Sequence, residues 1–174
     1  MHINPYGEDP VRLAVDLAAD PPSTAEELVA RCRAAGVTDV PEHDVDLDDV
    51  LAFLAEWIGV VDAPDEASRA ARLNVLLADA AAYPRLTDHG GERWHVHYRA
   101  PDLPLAGVLR ALISVGTALH LTGRGMHRLG RCAVDECRRP FADVSRTGRQ
   151  RYCSPVCANR DAVRRHRART GVPS

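Results

Sequence analysis

Lysine is absent from the 174-residue sequence, so all 22 Lys/Arg-type cations are arginines. A high arginine count partly reflects overall composition, and it is weak evidence of function by itself. How the arginines are distributed along the chain is more informative.

Long apolar runs are also missing. No stretch reaches about 18 consecutive apolar residues, which argues against a membrane span, and residues Met1–Pro5 lack the charged-then-apolar order of a signal peptide. The sequence therefore predicts a cytoplasmic protein without a membrane partner. Thiols stay reduced in that compartment, and paired cysteines there favour metal over disulfides.

No nucleophile–base motif is present, and the Gly90–Gly91 pair lacks the context of a phosphate-binding loop. Internal repeats and low-complexity segments are lacking as well. We expect a protein that is not an enzyme.

The charge is divided unevenly behind a net value of only −2. Residues 124–174 contain 13 arginines against four acidic residues, a net +9, whereas residues 1–123 contain nine arginines against 20 acidic residues, a net −11. An acidic body with a basic tail indicates that the tail binds a polyanion.

Four of the five cysteines lie within 26 residues, as Cys132-x4-Cys137 and Cys153-x3-Cys157. Two short-spaced pairs joined by a loop are typical of a tetrahedral zinc site, because each pair binds one side of the metal. Two disulfides or four unrelated thiols are the alternatives. The lone Cys32 is expected to be a small buried apolar residue.

Apolar spacing predicts a mostly helical chain before residue 126. A short apolar segment, Val11–Leu17, precedes four helices. The first starts at Ser23 (an N-cap with Glu26) and ends at Ala35, and the second starts at Asp46 or Asp48 and extends beyond Ile58. The third runs from Pro64–Asp65 to just before Pro84, and the fourth runs from near Leu103 to just before Gly123. The last helix is expected to be a core helix.

Alternating residues between Arg85 and Ala100 predict a β-hairpin that turns at Gly90–Gly91. We expect exposed strand histidines at His95 and His97 rather than metal ligands. Trp57 and Trp94 are expected in the core or lining a pocket. The predicted fold class is mostly α with a small β-hairpin (α+β), divided into a helical domain, 1–126, and a treble-clef-like zinc finger, 127–174.

Within the C-terminal segment, residues from Phe141 to Tyr152 predict a second hairpin. Pro155 suits the first position of a helix, which places Cys157 in the first turn. A unit this small builds little core, so a metal is expected to supply stability. One structural Zn²⁺ bound by Cys132, Cys137, Cys153 and Cys157 is the prediction.

The final helix has a basic face, on which Arg160, Arg164 and Arg167 share one side at helical spacing with Arg165 and Arg169 alongside. Val156 and Val163 are expected on the opposite, core-facing side. Arginines suit contact with phosphates and guanine edges. The alternative is a solvated basic face. The candidate DNA-binding residues are Arg146, Arg149, Arg151, Arg160, Arg164, Arg165, Arg167 and Arg169.

Several motifs together resemble the CGNR zinc finger. They are Arg128-Leu-Gly-Arg-Cys132, Phe141-x-Asp143-x-Ser145, Arg151-Tyr-Cys153-Ser154, Cys157-Ala158-Asn159-Arg160 and Arg164-Arg165-His166-Arg167. In that family the finger ends a helical ABATE domain, and its members are described as stress-induced transcription regulators of bacteria. The segment Leu13–Leu17 is similar to the family's opening residues.

Two positions depart from the family pattern. Ala158 stands where the naming motif has glycine, and Ala19-Asp20 stands where the opening segment continues into Asn-Thr. Alanine is a good helix residue, so we expect the zinc site to persist.

The resemblance and the charge together imply a zinc-dependent DNA-binding transcription regulator. Its helical domain would sense a small-molecule or protein ligand. Because such regulators often occupy paired half-sites, a homodimer is one expected assembly. The alternative is a zinc-stabilised module that binds protein or RNA without reading a DNA sequence.

Overall fold

The computed structural model describes residues 7–37, 40, 45–87 and 94–171. These residues form six α-helices and two antiparallel strand pairs, which confirms the mostly helical fold class. In chain order the elements are α1 Glu8–Ala19, α2 Ala25–Ala34, α3 Leu47–Val61, α4 Glu66–Ala80, β1 Arg85–Thr87, β2 His95–His97, α5 Leu105–Arg124, a 3₁₀ turn Met126–Arg128, β3 Leu129–Arg131, β4 Pro140–Ala142 and α6 Pro155–Thr170.

Side-chain caps set the starts of three body helices. Asp46 and Asp65 accept hydrogen bonds from the amides of Asp49 and Ser68, as predicted for α3 and α4. In α2 the prediction was wrong by one residue. Thr24, not Ser23, is the N-cap, because its hydroxyl accepts from the Glu27 amide while the Glu27 carboxylate accepts from Ser23.

Helix α5 is the centre of the body and packs against α1, α3 and α4. It starts at Leu105 and ends at Arg124, slightly later at both ends than predicted. Among the described residues it alone is long and apolar enough to cross a membrane, yet 67% of its apolar window is buried inside the protein. Trp57 is also buried, and its Nε1 donates to Thr117 Oγ1 at 3.0 Å. These contacts identify α5 as a core helix.

Helix α1 approaches α5 closely at Gly116. A Cβ placed there would lie 2.5 Å from the Cβ of Pro10, too close for two carbon atoms. The predicted apolar segment Val11–Leu17 lies within α1, and its residues Val11, Leu13, Ala14 and Leu17 are buried. Cys32 of α2 is fully buried, as expected, and burial raises the pKa of its thiol to about 11.

The predicted hairpin of the body is present. Arg85 pairs with His97, Leu86 with Val96 and Thr87 with His95, while the expected turn at Gly90–Gly91 lies outside the described residues. The Nε2 atoms of His95 and His97 lie 3.0 Å apart, so both rings share one face. Trp94 is 69% exposed, so its placement in the core or a pocket was wrong.

In the C-terminal segment the strands differ from the prediction. β3 pairs with β4, with Gly130 opposite Phe141, so the hairpin encloses the first cysteine pair. No strand forms over residues 143–152, where the second half of the predicted hairpin was placed. An irregular loop organised by Asp143 takes its place.

The packed core continues through the predicted domain boundary. Leu129 is buried in the same cluster as the body helices, and Met126 and Ala142 pack against that cluster. Helix α1 also contacts β4. The division into domains 1–126 and 127–174 stays a prediction. These contacts pack the β3–β4 hairpin against the body.

Candidate metal centre and basic helix

Four cysteine thiols converge at the C-terminal end of the chain. The sulfur atoms of Cys132, Cys137, Cys153 and Cys157 all lie within 4.8 Å of one another. A tetrahedral zinc ion with Zn–S bonds of about 2.3 Å requires S···S separations of about 3.8 Å. The Sγ of Cys153 is 3.6 Å from that of Cys137 and 3.7 Å from that of Cys157. The donor set fits one structural zinc ion.

Two local structures present these thiols. The first pair lies in the turn between β3 and β4, where the Cys132 amide donates to the Arg139 carbonyl and the Cys137 amide to the Val134 carbonyl, each at 2.9 Å. The second pair flanks the start of α6. Ser154 is the N-cap, its Oγ accepts from the Cys157 amide at 3.3 Å, and Pro155 follows as the first helical residue, as predicted.

The disulfide alternative is not what the structure shows. All five cysteines are free, and the 3.6 Å between the sulfurs of Cys137 and Cys153 far exceeds the roughly 2.05 Å of an S–S bond. Cys132 is fully buried and Cys157 is nearly so, and both pack with Val134 in a small cluster.

The thiols differ in how easily they ionise. A hydrogen bond from the Arg139 backbone amide lowers the pKa of Cys137 to about 7. Burial, followed by the neighbouring thiols, raises the pKa of Cys153 to about 12. Four adjacent thiolates repel one another, so full ionisation requires a bound cation. The arrangement is therefore a metal site of the closed, structural kind, with no position left for a substrate.

Residues 128–170 match the family model of the CGNR zinc finger. This part of the chain is a zinc finger domain. A search of curated proteins found no match to the chain. The match covers the finger and not the preceding helices, so the ABATE assignment and a regulatory role are not part of it.

A buried ion pair that was not predicted from the sequence lies inside the finger. Arg128 and Asp143 are 8% and 2% exposed, and the guanidinium lies 3.4 Å from the carboxylate. The same guanidinium donates to the Arg124 carbonyl at 3.0 Å and to the Ser145 carbonyl at 2.6 Å. Both residues belong to motifs that resemble the family, but the sequence does not show that their side chains form an ion pair, because that contact depends on the fold.

The carboxylate of Asp143 organises the loop that replaces the predicted strand. It accepts from the Ser145 amide and the Gln150 amide, each at 2.9 Å. Burial opposes its ionisation, but these hydrogen bonds and the Arg128 charge prevail, so its pKa lies below the ordinary value. Gly148 has φ +66°, and a Cβ there would lie 2.6 Å from the Arg128 guanidinium carbon, so the loop closes over that side chain.

Arg69 of α4, a second residue missed from the sequence, connects the finger to the body. Its side chain is 9% exposed, and it donates to the carbonyls of Val60 and Val61 at 3.1 and 3.0 Å. It also donates to the carbonyl of Met126, just before the finger. One guanidinium thus caps α3 and holds the entry to the finger, and no periodicity in the sequence signals it.

Helix α6 leaves the zinc site and extends into solvent. Every described residue from Ala162 to Gly171 is exposed. Val156 and Val163 are 66% and 51% exposed, so the expected core-facing side was wrong. At about 100° per residue, Val163 lies about 60° from Arg160 and about 40° from Arg167, on their side of the helix rather than opposite them. The finger's small core is formed by the cysteines, Val134 and Tyr152 instead.

The candidate arginines of α6 surround the helix. Arg160, Arg164 and Arg167 fall within about 60° of arc, whereas Arg169 lies about 180° from Arg160 and Arg165 lies between those two directions. Two are already paired. Arg164 bonds to Glu136, and Arg165 lies 2.9 Å from Asp161. Within the part of the chain that the structure describes, Arg160, Arg167 and Arg169 have no ion-pair partner.

The three candidate arginines of the loop are all exposed, but only one adjoins α6. Arg151 stacks over the Tyr152 ring at 5.9 Å, and the Tyr152 hydroxyl donates to Asp161 at 2.5 Å. That hydrogen bond, with the charges of Arg165 and Arg151, lowers the pKa of Asp161. The described contacts do not connect Arg146 or Arg149 to α6.

Proposed function

We propose that this protein is a zinc-dependent DNA-binding transcription regulator of the bacterial cytoplasm. The observation that supports this best is α6, whose outer part is exposed on every side and rich in arginine while its first turn is fixed by two zinc ligands. The helical body would sense a ligand or partner. The cysteine site is proposed as structural and not catalytic, since four protein ligands leave no open position on the metal.

The placement of charge supports DNA as the partner. The basic residues are concentrated in the finger, and the outer part of its last helix, from Ala162 onward, is exposed to solvent. The alternative interpretation, a solvated basic face, applies to a helix that packs on its other side. Helix α6 buries nothing beyond its first turns and so gains no packing energy there, which favours a binding partner for it.

The width of a helix surrounded by arginines suits the DNA major groove, which admits one α-helix. Arg160 and Arg167 point to one side, and Arg169 points to the other, so phosphates of both strands would be within their reach. Val163 lies beside Arg167 on the same side of the helix and offers an apolar surface that suits a thymine methyl group. The finger then orients the helix, and the zinc ion keeps that orientation fixed.

A salt series with duplex DNA tests the proposal. Zinc-loaded protein is titrated into fluorescent duplexes, one of random sequence and one enriched by selection, and anisotropy gives the Kd at several salt concentrations. We expect affinity to fall steeply with salt, with the selected duplex retaining its preference.

Variants identify the helix as the contact. Arg167→Gln and Arg169→Gln should each weaken binding and lower the salt slope by about one. Arg33→Gln, at an exposed position of α2, is the matched control and should leave both the Kd and the salt slope unchanged. Failure of zinc-loaded protein to bind any duplex at low salt would refute the proposal, and binding of RNA or an acidic protein instead would support the interaction-module alternative.

A further inference from the structure

A cleft of about 720 Å³, which is lined in part by the zinc ligands Cys137, Cys153 and Cys157, separates the body from the finger. Helix α1 forms one wall, and the first cysteine turn, β4 and the start of α6 form the other. Its volume lies in the usual range for small-molecule sites, which occur preferentially between structural units.

Three arginines from three separate elements line this cleft. Arg12 comes from α1, Arg139 from the turn after Cys137, and Arg160 from α6. In the described structure neither Arg139 nor Arg160 has a side-chain ion pair, and Arg12 has only a 3.4 Å contact with Glu8 on the same helix. The three arginines therefore line one cleft from separate elements, and the charge of Arg160 also acts on Glu136 in that lining.

Two acidic residues share the lining, but each already has a cation. Arg31 donates two hydrogen bonds to Asp16 Oδ2, at 2.8 and 3.1 Å, and Arg164 bonds to Glu136. The zinc–thiolate cluster at one wall contributes a net −2 when the metal is bound. Arg12 is paired with Glu8, so the charges of Arg139 and Arg160 balance this −2 and the cleft carries little net charge, which fits a monoanion better than a dianion.

The remaining lining is apolar. Val15 and Ala19 contribute from α1, and Phe141 and Val144 from the opposite wall. Phe141 is only 7% exposed, so its ring packs as a fixed floor rather than as a mobile surface side chain. An apolar floor beneath converging arginines favours a ligand that has both a hydrophobic part and a charge.

We propose that this cleft binds a small organic carboxylate with an aromatic or branched aliphatic part. The carboxylate would lie among Arg12, Arg139 and Arg160, and the apolar part would lie against Val15 and Phe141. The ligand would contact α1 and α6 together, so its binding would couple the body to the helix proposed to meet DNA. The inference deepens the sensing part of the proposed function, on which it rests.

Calorimetry on the zinc-loaded full chain tests the binding with 2-naphthoate as the probe. We expect saturable binding with a Kd of about 1 mM or tighter. Acetate, which lacks the apolar part, should bind at least about tenfold more weakly. The neutral 2-naphthalenemethanol should also bind more weakly, because it lacks the charge.

Two variants and one control locate the probe. Arg139→Gln should raise the Kd about five- to tenfold, and Ala19→Phe, which fills the cleft from α1 without changing charge, should abolish binding. Arg33→Gln removes a surface arginine elsewhere and should leave the Kd unchanged. Zinc content and the melting temperature of each variant show whether it has folded.

The proposal is wrong if 2-naphthoate shows no saturation up to about 10 mM, or if Arg139→Gln behaves like Arg33→Gln in a folded protein. The binding measurement contains no DNA. A failure of DNA binding with intact 2-naphthoate binding would therefore overturn only the regulator proposal, and the reverse result would overturn only this one.

Discussion

Arg131 of the finger donates two hydrogen bonds, each 2.8 Å long, to the two carboxylate oxygens of Asp62 at the end of α3. These hydrogen bonds lower the pKa of Asp62. The same guanidinium donates to the Arg138 carbonyl at 3.1 Å, inside the turn that holds the first two zinc ligands. One side chain thus joins the zinc turn to the body, so the two parts should influence each other's stability.

A double-mutant cycle measures that connection. Arg131→Gln and Asp62→Asn should each cost about 0.5–1 kcal/mol in the free energy of unfolding, with a coupling of similar size, since both partners are partly exposed. Chemical denaturation of the zinc-loaded protein gives these values, and transfer of zinc to a chelator should become faster in both variants. Arg110→Gln, which breaks a 2.9 Å pair with Glu56 within the body, is the control and should not change zinc transfer. Equal rates of zinc transfer in the wild type, Arg131→Gln, Asp62→Asn and Arg110→Gln would show that this side chain does not connect the zinc turn to the body.

Removal of one zinc ligand should separate the finger from the body. Cys153→Ser is expected to reduce the metal content from about one zinc per chain to near zero and to unfold the finger. Most of the helical circular dichroism should remain, because α1, α3, α4 and α5 pack among themselves. Metal analysis by mass spectrometry checks the first outcome. Cys32→Ala is the matched control and should keep its zinc, whereas full zinc content in Cys153→Ser would exclude that ligand.

Loss of the Arg69 side chain should destabilise the protein strongly. Arg69→Met removes the donors to three carbonyls at the junction of α3 and the finger while keeping a long apolar stem, so we expect a loss of about 2–4 kcal/mol. Arg72→Met on the exposed side of α4 is the control, with an expected change within about 0.5 kcal/mol. Thermal denaturation compares the two, and similar melting temperatures would show that the buried hydrogen bonds contribute little.

His120 should make stability depend on pH. The residue is fully buried, and neither ring nitrogen has a hydrogen-bond partner; the nearby Arg128 carbonyl does not reach hydrogen-bond geometry. Burial lowers its pKa, and the charges of Arg124 and Arg128 act in the same direction, which together outweigh Glu8 and that carbonyl. The unfolded chain therefore takes up a proton first as the pH falls below about 6.5, so stability decreases from there down to the lower native pKa.

The pH effect is measured by denaturation of the wild type and His120→Leu at pH 7.5 and at successively lower values. The variant should lose less stability on acidification than the wild type, since leucine has no proton to gain. Zinc content is determined at each pH so that only metal-loaded protein is compared. Parallel pH profiles for the two proteins would show that His120 does not titrate on unfolding.

Much of the fold followed from local patterns. Features that depend on neighbours within one or two turns could be predicted from the sequence. They include the N-caps Asp46 and Asp65, the proline after Ser154 and the apolar spacing of α5. The zinc site could also be predicted from the sequence, because two cysteine pairs with short spacings need only a connecting turn to bind one metal ion. The placement of Val156 and Val163 opposite the arginines was wrong because, at about 100° per residue, both lie on the same side as Arg160 and Arg167. Both valines are also exposed, so no core packs against them.

The sequence alone determined the ligand set, the mostly helical composition and the division of charge between an acidic body and a basic finger. Only the tertiary structure decided which residues join those parts. Arg69, Arg131 and the Arg128–Asp143 pair act across large separations in the chain, and the cleft lined by Arg12 and Arg139 exists only where α1 meets the finger. Such contacts depend on how elements pack, and an arginine's place in the sequence does not reveal whether it binds a distant carbonyl or remains in solvent.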